Sequence, residues 1–80
     1  MNPPEIFTKI QLILAEVTGN EPADVFADSS FHEYFVMSPF ELAQFLASIE
    51  TNFGIKISKA DFTSIDTVQD LVTYLDEAIN

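Results

Sequence analysis

Ser38-Pro39-Phe40-Glu41-Leu42-Ala43-Gln44-Phe45-Leu46-Ala47-Ser48-Ile49-Glu50-Thr51-Asn52-Phe53-Gly54 decides the fold of this chain. It opens with a helix start in three parts: a serine at the N-cap, a proline at the first helical position, and a glutamate three residues after the cap. Leu42, Phe45, Leu46, Ile49 and Phe53 then recur at helical spacing as one apolar stripe. Gly54 suits the end of such a helix, where a left-handed residue closes the last turn.

The same 3.6-residue repeat appears on both sides of this segment. Ile6, Ile10, Ile13, Leu14 and Val17 form one face of a first helix, with Pro3 and Pro4 at its start and Gly19-Asn20 at its end. A long connection follows, about residues 20–37, punctuated by Pro22 and Ser29-Ser30. Pro22-Ala23-Asp24-Val25 suits a single turn, and Val25, Phe26 and Phe31 are apolar anchors that should hold the connection against the bundle. Beyond Gly54, Ile55 and Ile57 lie in an extended linker. Ser58 to Ser64 suits a short helix with Ser58 and Asp61 as a capping pair. A last helix starts near Asp66-Thr67 and places Val68, Leu71, Val72, Leu75 and Ile79 on one face. The expected fold is all-α: a four-helix bundle of three main helices and one short one, with a long first loop, as a single domain over 1–80.

Thirteen acidic residues against three basic ones give a net charge of −10, which disfavours nucleic acid and anionic membrane and favours a basic protein partner. The 48% apolar content, with eight Phe, is enough for a core and argues against disorder. Cysteine is absent, so no disulfide framework or thiolate site exists. No apolar run reaches the ~20 residues of a membrane span, and Met1 is not followed by a signal segment. The expectation is a cytoplasmic monomer.

With those elements placed, the chain resembles the acyl carrier proteins from end to end. The resemblance is carried by Ser29-Ser30-Phe31, by Ile49-Glu50 with Phe53-Gly54-Ile55-Lys56-Ile57, and by Ile65-Asp66-Thr67-Val68-Gln69-Asp70. It implies an acyl-carrier-protein-like bundle. Anchored on Phe53-Gly54-Ile55, the family's Gly-x-Asp-Ser-Leu pentad falls on Val36-Met37-Ser38-Pro39-Phe40. The serine that bears 4′-phosphopantetheine in that family is therefore expected at position 39, where this chain has a proline. The resemblance also implies an acidic stripe on the second helix that docks basic patches of synthase and transferase partners. Glu41 and Glu50 stand at acidic positions of that stripe, and Gln44 and Thr51 at others.

Ser38 is the hydroxyl beside the missing one. It serves either as an N-cap or, in the alternative, as an attachment point one residue early. Tyr34-Phe35-Val36-Met37 with Phe40 form an apolar cluster, which either plugs the cavity that holds an acyl chain in the family or presents a patch to a partner. His32 has no second ligand or nucleophile at useful spacing, no calcium-loop pattern exists, and Gly19 and Gly54 do not make a phosphate loop. Neither a catalytic site nor a metal site is expected. The sequence points to a non-enzymatic interaction module that needs no cofactor and docks a basic partner through Met37, Phe40, Glu41 and Glu50. The alternative is a working acyl or peptidyl carrier, with 4′-phosphopantetheine on Ser38, in fatty-acid, polyketide or related biosynthesis.

Overall fold

The four helices form where side chains close their ends. The computed structural model describes residues 1–79; Asn80, the last residue of the expected span 1–80, lies outside the described residues. Helix α1 (Pro3–Thr18) starts at Asn2, whose Oδ1 accepts the Glu5 N–H at 3.0 Å, and its first two positions are prolines that have no N–H to leave unpaired. A short 3-10 turn follows at Pro22–Asp24. Helix α2 (Pro39–Phe53) ends at Gly54, whose φ of 69° would strain any residue with a Cβ. Helix α3 (Lys59–Thr63) is capped by Ser58, whose Oγ accepts the Asp61 N–H at 3.1 Å. Helix α4 (Val68–Ile79) begins with a reciprocal pair: Thr67 Oγ1 accepts the Asp70 N–H, and Asp70 Oδ2 accepts the Thr67 N–H, both at 3.1 Å.

The apolar faces expected from periodicity meet in one contiguous core. Ile6, Ile10, Ile13 and Leu14 of α1 pack with Phe45 and Ile49 of α2, Phe62 of α3, and Val68, Leu71, Val72 and Leu75 of α4. Val17, Leu42, Leu46, Phe53 and Ile79 are half-buried around it. Helix α1 is the central element and packs against both α4 and α2. The Phe31, Phe45 and Phe62 rings stand 5.0 to 5.9 Å apart and join the first connection to α2 and α3.

The connection between α1 and α2 lies against the bundle, though not on all the anchors expected. Val25 and Phe31 are buried, but Phe26 is 58% exposed. Its turn explains this: the Ser29 N–H donates to the Phe26 carbonyl and the Phe26 N–H to Ser29 Oγ. Closing residues 26–29 in this way leaves the Phe26 ring outside, and Phe35 (2% exposed) supplies the missing anchor. Backbone pairing secures the rest. The Phe31 N–H donates to the Asp66 carbonyl at 2.7 Å, and the Val68 and Gln69 N–H groups donate back to Ser29 and Ala27. At the other end, Gln11 Nε2 donates to the carbonyls of Pro22 and Val25. Among the described residues no helix is long and apolar enough to cross a membrane.

Candidate functional site

The head of α2 is built as a reciprocal capping box. Ser38 Oγ accepts the Glu41 N–H at 3.1 Å, and Glu41 Oε1 accepts the Ser38 N–H at 2.9 Å. Pro39 fills the first helical position, where a missing N–H costs nothing and the fixed φ is already helical. Position 39 thus carries no hydroxyl, and the neighbouring hydroxyl of Ser38, although exposed, is engaged as the cap.

The helical repeat arranges the other candidates around this head. Phe40, Gln44, Ala47 and Thr51 are all exposed at i, i+4, i+7 and i+11, which makes them the solvent face of α2. Phe40 is 71% exposed at the N-terminal end of that face. Glu41 and Glu50 are nine residues apart, or two and a half turns, so they stand on opposite flanks and do not form one stripe. Their separation along the axis is about 13 Å at 1.5 Å per residue. Glu50 is exposed, whereas Glu41 is half-buried with one carboxylate oxygen held by the cap.

The apolar cluster before the helix divides by residue. Phe35 is buried and Met37 is half-buried against the core, while Tyr34 and Val36 are 61% and 70% exposed. Val36 and Met37, with Phe31, Leu42 and Phe62, border a cleft of about 200 Å³ between the connection, α2 and α3. His32 also lines it, exposed. Phe35 and Met37 thus lie on the core side of the cluster, and Tyr34, Val36 and Phe40 on its solvent side. Among the described residues no three His, Cys, Asp or Glu side chains gather as a metal site.

Comparison with known proteins assigns this architecture. A family profile described as "Phosphopantetheine attachment site" matches residues 8–75, most of the chain. The chain belongs to the acyl carrier protein family. It is 31% identical over 75 residues to "Acyl carrier protein 2" of Pseudomonas aeruginosa, covering 94% of this chain and 95% of that one. It is 28% identical to the "Acyl carrier protein" of Thermotoga maritima, covering 94% and 93%. The "Meromycolate extension acyl carrier protein" of Mycobacterium leprae is 32% identical over 71 residues, 89% of this chain and 62% of that longer one. Acyl carrier proteins bear 4′-phosphopantetheine and work with synthases and transferases; they are carriers and not catalysts.

Two features of the site escaped the sequence reading. The opposite placement of Glu41 and Glu50 was legible, since nine residues is a half-integral number of turns. The grouping of exposed Phe26 and Tyr34 with Asp28 and Glu33 around one depression was not, because the connection has no periodicity to place them.

Proposed function

We propose that this chain is an acyl-carrier-type bundle that works without the phosphopantetheine arm, as a non-enzymatic module that docks a basic surface of a synthase or transferase. One observation carries the reading. The position expected to bear the arm holds Pro39, while the capping box and helix around it are intact. A proline at the first helical position keeps the helix and removes the nucleophile. The residues at the head of α2 therefore do not fit the arm. Ser38 stands one residue before the attachment position, and its hydroxyl is held as the N-cap.

The docking surface is the solvent face of α2. Phe40 supplies an aromatic anchor, Gln44, Ala47 and Thr51 form an uncharged track, and Glu41 and Glu50 flank it. Met37, packed against the core just before the helix, contributes its half-exposed side chain ahead of the anchor. A basic partner would straddle this track, with one cation toward each flank. Flanking charges chiefly set the association rate, and a buried aromatic anchor chiefly sets dissociation.

Binding kinetics with a partner isolated from the native host test this division. Glu50→Lys should slow association and flatten its dependence on salt. Glu41→Gln should do so more mildly, since glutamine can keep the capping box. Phe40→Ala should speed release by about tenfold or more, as for an aromatic hot spot buried by the partner. Unchanged rates in all three variants would overturn docking through α2.

A further inference from the structure

Phe26, Asp28, Ser29, Ser30, Glu33 and Tyr34 line one open depression of about 350 Å³ on the first connection. None of these residues belongs to the α2 surface, so the inference stands apart from docking there. Two aromatic rings, of Phe26 and Tyr34, are more than half exposed on the same concavity. Two carboxylates share it, those of Asp28 and Glu33, and neither is hydrogen-bonded or ion-paired among the described residues.

The frame beneath them is fixed. Ser30 Oγ accepts the His32 and Glu33 N–H groups and donates to Asp66 Oδ1 at 3.0 Å, while the Ser30 carbonyl accepts the Tyr34 and Phe35 N–H groups at 2.9 Å. The Ser29 hydroxyl holds the Phe26 N–H. The Tyr34 ring meets the buried Phe35 edge-on at 4.7 Å. The backbone that carries the aromatic faces and both acids is thus tied down by hydrogen bonds, so the cost of binding falls on the side chains and not on the loop.

We infer that this depression receives an arginine side chain of a basic protein partner, with its guanidinium against the Phe26 and Tyr34 rings and paired with Asp28 and Glu33. Each part of that chemistry is present. A cation is attracted to the face of an aromatic ring, and a planar guanidinium also stacks there. The carboxylates take its N–H donors, two at a time where geometry allows. An aliphatic occupant would have to strip water from both acids without replacing their hydrogen bonds, and phosphate would be repelled by them. Lysine, a compact and strongly hydrated charge, would gain less from the rings.

The test is a titration of isotope-labelled protein, followed by its amide resonances at about 150 mM salt, where diffuse attraction is screened. The probes are two short peptides, glycine-spaced arginines and the same sequence with lysines. The arginine peptide should give saturable shifts centred on residues 26–34 and bind more tightly than the lysine peptide. Phe26→Leu and Tyr34→Leu keep an apolar side chain but remove the ring, and each should weaken binding about two- to fivefold. Asp28→Asn with Glu33→Gln should weaken it further, whereas Glu16→Gln with Glu77→Gln, removing equal charge from α1 and α4, should leave it unchanged. Wild-type spectra away from the substituted residues check that each variant is folded. Absence of saturable shifts, shifts spread over the whole acidic surface, equal affinity for the two peptides, or equal loss in the Glu16 and Glu77 variant would each overturn the inference.

Discussion

Met37 and Phe40 lie three residues apart across the helix start and meet different surroundings. The Met37 side chain packs against the core, while Phe40 is 71% exposed on the solvent face of α2. Full burial of such side chains is worth about 1.5–3 kcal/mol, so the half-buried methionine contributes a part of that. Met37→Ala should therefore lower stability by about 1–2 kcal/mol in denaturant melts, less than the loss at a fully buried site. Phe40→Ala should stay within about 0.5 kcal/mol, as surface substitutions do. The reverse order would make Phe40 core and leave docking without its anchor. The sequence could not divide this cluster, because Tyr34 to Met37 lies in a connection with no helical or strand period. Each ring there is placed by its local turn: the hydroxyl-tied turn at 26–29 leaves Phe26 outside, and the turn around Ser30 sends Phe35 inward.

At the scale of the element, the helices were legible because caps and apolar spacing agree. Ser38, Pro39, Glu41 and Gly54 all do at α2 what their residue types favour, and the expected stripes of α1 and α4 are buried faces. Asn2, an N-cap in plain view before two prolines, completes α1 in the same way. What the residues did not disclose is the stitching of the first connection to the start of α4. The Phe31, Val68 and Gln69 bonds are backbone to backbone, and any side chain would permit them. The caps also decide how the head of α2 can be altered. Aspartate caps a helix as well as serine does, and position 39 is exposed and takes no part in the box. Ser38→Asp with Pro39→Ser should accordingly keep the fold, with a melting temperature close to that of the parent, while returning a hydroxyl to the first helical position.

For the whole molecule, charge is the dominant collective property. Three lysines face thirteen acids in a body whose longest extent is 29 Å. At about 10 mM salt the screening length is ~30 Å, so every acid acts on every other; at about 150 mM it falls to ~8 Å and only neighbours interact. Self-repulsion opposes the compact state, and the melting temperature should rise across that range. A melting temperature indifferent to salt would show the charges already dispersed. The chain is nevertheless compact, with a radius of gyration of 11.2 Å against about 12 Å for a globular chain of this length. Its core, caps and loop stitching therefore hold the family's bundle together against the repulsion. The central proposal is that this bundle is kept while its attachment chemistry is given up. Intact mass after incubation with coenzyme A and a broad-specificity phosphopantetheinyl transferase tests it most directly, with the Ser38→Asp, Pro39→Ser variant alongside. The natural chain should keep its mass, and the variant should gain one phosphopantetheinyl group, at least in part. A natural chain that gains the group, and loses that ability in Ser38→Ala, would contradict the proposal and make Ser38 the attachment site of a working carrier.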